Sequence, residues 1–125
     1  MISQGQHFWN QRTDSTSLLN ADHFIRLAQE QRPKDFDLAV LYGRILYTRA
    51  LFFEQDLKTQ DELFVDGLQI CRSAVMNHPD FLQIYERAQG DSSFKLLATI
   101  AEVPKSLVSG LFWWATNLAR HLNSK

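Results

Sequence analysis

A pattern of small residues, a bulky residue and a proline occurs twice in this sequence and constrains its fold more than any other feature. At offsets 0, 4, 7 and 12, with the copies 46 residues apart, the positions are Ala21, Ile25, Ala28 and Pro33, then Gly67, Cys71, Ala74 and Pro79. Small residues one or two turns apart let a helix lie close against its neighbour, and a proline ends the helix. The repetition predicts an all-α fold of stacked antiparallel helix hairpins, a class of protein that usually holds another molecule.

Length and composition fit one domain. The composition, 45% hydrophobic and 22% charged, is that of a globular protein. A length of 125 residues is enough for one hydrophobic core and too short for two ordinary domains, so we expect residues 1–125 to form a single domain. The net charge is −1, without the basic excess of a phosphate-binding surface, and we predict no nucleic-acid binding. The apolar runs are too short to predict a membrane span in this chain.

Helical periodicity runs through almost the whole sequence, and caps and prolines divide it into six or seven helices. A loop at 54–58 and a capping box made by Thr59 and Glu62 are predicted to precede the fourth helix. Asp35 is predicted to cap the third helix, and Asp91, Ser92 or Ser93 to cap the sixth. The expected helices cover residues 4–12, 14–32, 35–53, 59–78, 80–88, 91–100 and 104–122.

The repeated offsets are those of the second helix of a tetratricopeptide repeat. Gly43 supplies the next small residue ten positions after Pro33, with Tyr42 immediately before it. Ala39 occupies the position that is usually tryptophan, and the 46-residue spacing exceeds the standard repeat of about 34 residues. The chain therefore resembles an irregular, right-handed, tetratricopeptide-like repeat.

Five motifs also follow one another in a particular order. They are an aromatic-to-arginine start at 9–12, a repeat ending in proline at 21–33, a Tyr- and Phe-rich helix at 41–53, a glycine-containing helix ending in His-Pro-Asp-Phe at 67–81, and an aromatic helix at 108–114. This order resembles the T component of tripartite ATP-independent periplasmic (TRAP) transporters. The likeness covers most of this chain and about the first half of a typical family member, whose later helices and cysteine lipid anchor have no counterpart here.

The resemblance implies a helical periplasmic protein that accompanies a substrate-binding subunit and supplies no catalytic residues. Residues 1–9 lack the apolar core of a signal peptide, so the periplasmic expectation rests on the resemblance, and without it we expect a cytoplasmic protein. Two alternatives remain open: a cytosolic interaction module that binds a peptide in the repeat groove, and a small helical enzyme whose site forms only in an oligomer.

Residues with catalytic potential are sparse. None of the four histidines pairs with another at i, i+3 or i+4, and the His78-Pro79-Asp80 segment is interpreted as a polar turn at a helix end. Cys71 is the only cysteine, which excludes an internal disulfide, and its place in the repeat pattern predicts a buried small hydrophobe. We therefore predict no enzyme, no cofactor and no metal.

Two arginines share a helix with tyrosines, an arrangement that could imitate a nucleic-acid surface. Because the net charge is −1, we interpret Arg44 and Arg49 as partners of carboxylates or as a shield for the helix face. Asp35 and Glu54 are the candidate carboxylates, by sequence proximity alone.

The aromatic segment at 111–114 is the local feature that best indicates which face of the last helix is buried. At 100° per residue, the expected core stripe of the last helix consists of Leu107, Leu111, Trp114 and Leu118, with Val108, Phe112, Ala115 and Ala119 beside it. Trp113 falls among polar residues on the other side, where either a partner or another part of the chain can cover it.

The candidate sites follow from this assignment. Trp113, Asn117 and Arg120 are predicted to contact a partner, with Trp113 buried between chains of a homo-oligomer. The expected groove or core aromatics are Trp9, Tyr42, Phe53 and Trp114. The expected partner is a protein, such as a transporter substrate-binding subunit, or a small hydrophobic ligand.

Overall fold

A computed structural model describes residues 2–10 and 15–123 of the chain. Within these ranges the protein is all-α, with no strand, so the predicted fold class is confirmed at that level. The helices are α1 (Ile2–Asn10), α2 (Ser15–Gln31), α3 (Phe36–Phe52), α4 (Leu57–Met76), α5 (Pro79–Arg87), α6 (Ser92–Ala101) and α7 (Val108–Asn123), the last preceded by a 3₁₀ turn, Lys105–Leu107. Positions 11–14, which include part of the predicted first helix and its following cap, lie outside the described residues.

Two of the predicted caps are confirmed. The Asp35 carboxylate accepts a hydrogen bond from the Leu38 amide at 3.1 Å, and Asp91 accepts one from the Phe94 amide at 2.9 Å. These bonds satisfy backbone donors that the first turn of a helix leaves without partners. The helix before Pro33 ends as expected, at Gln31.

The predicted cap at Thr59 is wrong, because α4 begins two residues earlier and Asp56 caps it. The Asp56 carboxylate accepts both the Thr59 amide, at 3.1 Å, and the Thr59 hydroxyl, at 2.6 Å. A charged acceptor also interacts favourably with the positive end of the helix dipole, which a hydroxyl does not match. At the other end α4 stops at Met76, and Pro79 begins α5 rather than ending α4.

The helices α1, α2, α3, α4 and α7 form a stack in which each helix packs against the one before it. In the chain, α5 and α6 lie between α4 and α7, and they form a hairpin with each other. Three contacts between α4 and α7 show that these two helices are antiparallel: Asp61 with His121, Gly67 with Asn117, and Val75 with Gly110. Within the stack, α3 packs against α2 and α4, and it also contacts α7.

Glycines allow the closest approaches in this stack. Gly43 of α3 faces Cys71 and the Gly67 carbonyl of α4, and a Cβ on Gly110 of α7 would lie 2.7 Å from Val75. No larger residue fits at these positions without movement. The expectation of close packing at small residues is confirmed at Gly43, Gly67, Ala21 and Ala28, whereas Ala74 is half-buried.

The buried side chains form two clusters. The first belongs to α1–α4 and includes Trp9 and Tyr42. The second joins the end of α4 to α5 and to the turn before α7 through Val75, Phe81 and Leu107, and Trp114 of α7 packs against it. Phe53 belongs to neither cluster and is therefore not a core aromatic. It lies exposed, like Phe52, where α3 ends and the chain turns.

In the described part of the chain, no single helix has the length and apolar character of a membrane span. Taken together, α6 and the 105–123 segment reach that length and apolarity, but they are bent by 108° relative to each other.

Candidate binding surface

The packed face of α7 differs from the predicted one by about a quarter of a turn. Gly110 and Asn117 are buried against α4, whereas Val108 and Phe112, which were expected in the core stripe, are exposed. Leu107 is buried as expected. The apolar arc of α7 is wider than one helix contact can cover, and the small residues on α4 and α7 select the side on which the backbones approach most closely.

Asn117 is fully buried, so its prediction as an exposed contact residue is wrong. Its Nδ2 donates a hydrogen bond to the Trp113 carbonyl at 2.8 Å, while its Oδ1 accepts no hydrogen bond from the described residues. The side chain lies against Gly67 of α4. Arg120 remains exposed and lines a cavity of about 580 Å³ together with Lys58.

Trp113 is partly covered within the chain by a cluster centred on Arg44 of α3. The Arg44 guanidinium carbon lies 5.0 Å from the ring centroid of Trp9 in α1 and 5.5 Å from that of Trp113 in α7. A guanidinium over an indole face is attracted by the ring quadrupole. Arg44 thus bridges the first and last helices of the stack across α3.

Further aromatic rings extend this bridge. The Tyr47 ring is 5.4 Å from Trp113 and 5.7 Å from Phe64, and the Phe112 ring is 5.0 Å from Trp113. We call Trp9, Arg44, Tyr47, Phe112 and Trp113 the Arg44 cluster. The cluster extends from Tyr47, which lies beside the buried Phe64, to the exposed Phe112, so part of it is accessible to a partner.

Arg49 pairs with a carboxylate, as expected, but its partner is the buried Asp22 of α2 at 3.0 Å rather than Asp35 or Glu54. Arg44 stacks on tryptophans. The sequence carries no local signal for these contacts, because Asp22, Trp9 and Trp113 are all more than six helix turns away from their partners along the chain.

A carboxylate–imidazole contact and a cleft are further polar features of the stack. Asp61 of α4 lies 2.7 Å from His121 of α7, next to the Arg120 cavity. A larger cleft of about 850 Å³ opens where α2 and α4 end beside the start of α3. The prolines of both repeat copies, Pro33 and Pro79, line this cleft.

Burial disfavours the ionised forms of Cys71 and Tyr42. Burial raises the pKa of the Cys71 thiol to about 12, so the reactive thiolate is scarce at neutral pH. Burial also raises the pKa of the Tyr42 hydroxyl, with the Asp22 charge adding to the effect. Across residues 2–10 and 15–123, no three His, Cys, Asp or Glu side chains are grouped to hold a metal ion.

The geometry therefore defines an all-α protein with an arginine–aromatic cluster on the face shared by α1, α3 and α7. No protein-family model, curated protein or solved structure matches this chain.

Proposed function

We propose that this chain is a non-catalytic helical-repeat binding or scaffold protein, similar to the T component of TRAP transporters, and that it holds a protein partner on the Arg44 cluster. The observation that carries the proposal is the position of the Arg44 guanidinium over both the Trp9 and the Trp113 rings. Tryptophan, tyrosine and arginine are the residues that contribute most often to binding energy at protein interfaces.

The packing order supports a tetratricopeptide-like interpretation. Helices α1, α3 and α7 alternate with α2 and α4 along the stack, and Arg44 of α3 touches both of the other helices in its own layer. In such a repeat the first helices of successive hairpins share one face, which is the usual binding face. The α5–α6 hairpin then stands as an insertion between α4 and α7.

The Arg44 cluster is suited to binding because its side chains are already ordered. Two rings hold the guanidinium of Arg44, so a partner that contacts it imposes little further loss of side-chain entropy. Phe112 extends the cluster to the exposed surface with an apolar ring. We expect a partner segment that combines an apolar side chain with a carboxylate or backbone carbonyl acceptor.

Selection from a displayed random-peptide library, followed by calorimetric titration, tests this proposal. We expect selected peptides to bind at least about tenfold more weakly to Trp113→Ala and to Arg44→Lys, since lysine keeps the charge but loses the planar stacking. Arg72→Ala, an exposed arginine of α4, is the matched control and should leave the affinity unchanged. Peptides whose affinity is insensitive to Trp113→Ala and Arg44→Lys would contradict the proposed site.

A separate experiment tests whether the protein partner is a transporter substrate-binding subunit. If the T-component resemblance is correct, the protein should co-purify with a substrate-binding subunit encoded beside its gene, and the native reading frame should carry an export signal with a lipid-anchor cysteine. A reading frame without that signal would instead favour the cytosolic interaction module.

The cleft between α2, α3 and α4 is the specific observation that favours this second candidate. Its volume of about 850 Å³ and its mixed lining, including Phe36, Gln69 and Asn77, suit a short peptide. Ala74→Trp would fill the cleft from its half-buried wall. Peptides that lose affinity for Ala74→Trp but not for Trp113→Ala would assign binding to the cleft.

A further inference from the structure

The Arg120 cavity lies where α3 ends, α4 begins and α7 ends. These helix ends meet because α4 and α7 are antiparallel, and the contact between Asp61 and His121 joins the first turns of α4 to the last turn of α7. The cavity has a volume of about 580 Å³, which is in the range of sites that hold small organic molecules.

One wall of the cavity is apolar. Leu51 of α3 and Leu57 and Phe64 of α4 line it. Phe64 is buried, Leu51 is half-buried and Leu57 is 77% exposed, so the apolar surface runs from a buried floor to an open rim. An apolar chain that lay along this wall would remove both its own surface and that of Leu57 from water, which is favourable.

Two cationic side chains line the same cavity, Lys58 from α4 and Arg120 from α7. Both are exposed. Among the described residues, the salt bridges are the one between Arg49 and Asp22 and two contacts between a histidine and an aspartate, and none of them uses Lys58 or Arg120. Two cations at one cavity attract an anion, and a guanidinium can hold two oxygens of the same anionic group.

The carboxylates near these cations have polar contacts of their own. Asp61, which also lines the cavity, lies 2.7 Å from His121. Asp56 accepts the amide and the hydroxyl of Thr59, and Glu54 accepts the Asp56 amide at 3.2 Å. A ligand anion therefore does not have to displace any of these carboxylates from a salt bridge with Lys58 or Arg120.

We propose that the Arg120 cavity binds a small amphipathic anion, a molecule with an apolar chain and a single carboxylate or phosphate head. The chain contacts Leu57 and Phe64, and the head is held by Lys58 and Arg120. This inference is independent of the proposed peptide-binding function, because no residue of the Arg44 cluster lines the cavity. The two sites are neighbours, since Phe64 also lies beside Tyr47 of that cluster.

Calorimetric titration of the full chain with octanoate, octyl phosphate and octanol tests the proposal. At least one of the two anions should bind at least about tenfold more tightly than octanol, which has the same chain without a charge, and its affinity should fall as the salt concentration rises. Binding of octanoate alone would assign the head as a carboxylate, and binding of octyl phosphate alone would assign it as a phosphate. Equal affinities for octanol and both anions, or no binding of either anion at low millimolar concentration, would overturn the proposal.

Charge variants locate the head group. Arg120→Gln and Lys58→Gln should each weaken binding of the anion at least about threefold. Arg72→Gln is the matched control, because Arg72 is an exposed arginine of α4 that does not line the cavity. The melting temperature of each variant shows whether it is folded, since Arg120 also lies in the last turn of α7, where a cation is favourable. Equal affinities of the Arg120→Gln and Arg72→Gln variants would contradict the site.

Apolar variants locate the chain. Leu57→Ser should weaken binding of the anion, whereas Phe52→Ser should not, because Phe52 is 69% exposed but does not line the cavity. Trp113→Ala should also leave the affinity unchanged, so failure of this site and failure of the peptide-binding site are distinguishable. Equal effects of Leu57→Ser and Phe52→Ser, or a loss of affinity in Trp113→Ala, would place the anion outside the Arg120 cavity.

Discussion

Gly67 of α4 lies directly against the side-chain amide of Asn117 of α7. A Cβ built on Gly67 would be 2.7 Å from Asn117 Oδ1 and 2.9 Å from its Cγ. The amide cannot retreat easily, because Asn117 is fully buried and its Nδ2 is bonded to the Trp113 carbonyl. This contact fixes the face that α7 presents to the stack, and hence the position of Trp113 beside Arg44.

Gly67→Ala should therefore destabilise the protein by about 1–3 kcal/mol through overpacking. In the double variant with Asn117→Ala, the added methyl group has space, so the cost of Gly67→Ala should fall by at least about 1 kcal/mol. Urea unfolding of the wild type, the two single variants and the double variant measures this coupling. Additive effects would mean that the two residues are not in contact.

The two small residues at the second small position of the repeat pattern should differ in tolerance. Ala28 is buried and Ala74 is half-buried beside the cleft. We expect Ala28→Leu to cost about 1–3 kcal/mol of unfolding free energy, and Ala74→Leu to cost clearly less. Thermal unfolding of both variants compares them under the same conditions, and equal losses would contradict the observed difference in burial.

The cap of α4 should respond to pH through Asp56 rather than Thr59. Hydrogen bonds from the Thr59 hydroxyl and amide lower the pKa of the Asp56 carboxyl below its usual value of 3.8. Because the folded-state pKa is lower, this stabilisation is present above the unfolded pKa and is lost as the pH falls through the folded pKa. Asp56→Ala should lower the melting temperature at neutral pH, by a margin that shrinks in strong acid.

Asp56→Asn is the control for this pH dependence, since asparagine keeps a capping oxygen without the titrating charge. Its effect on the melting temperature should be smaller than that of Asp56→Ala at neutral pH. An Asp56→Ala difference that is the same at every pH would show that the carboxylate charge does not contribute.

Cys71 should behave as a buried thiol of the α3–α4 contact. It is fully buried beside Gly43, and burial raises the pKa of its thiol to about 12. Reaction with a disulfide reagent at mildly alkaline pH should be slow in the folded protein and should accelerate by orders of magnitude in denaturant. Fast modification of the native protein would contradict its burial.

Local signals in the sequence are sufficient to predict the helices and some of the residues at which they begin or end. Asp35 and Asp91 cap helices because their own backbone neighbours donate to them. The repeated small residues mark buried positions, with the exception of the half-buried Ala74. The sequence does not show which residues at the end of α3 are buried, because Phe52 and Phe53 continue the apolar pattern but are exposed.

Long-range choices could not be predicted from the residues alone. On α7 the apolar arc offers several possible buried faces, and close contacts with α4, such as Gly67 with Asn117 and Gly110 with Val75, select among them. The stacking of Arg44 on Trp9 and Trp113 joins residues from three helices, and nothing in the neighbourhood of any of them in the sequence indicates the others.

Nuclear magnetic resonance of the tryptophan indoles tests the proposed binding surface most directly. The chain has three tryptophans, so Trp9 and Trp113 report on the Arg44 cluster while Trp114, packed against the second core cluster, serves as an internal control. During titration with a selected peptide, we predict that the Trp9 and Trp113 indole N–H signals shift with one common dissociation constant and that the Trp114 signal stays in place. Saturable binding that leaves the Trp9 and Trp113 signals unmoved would contradict the account.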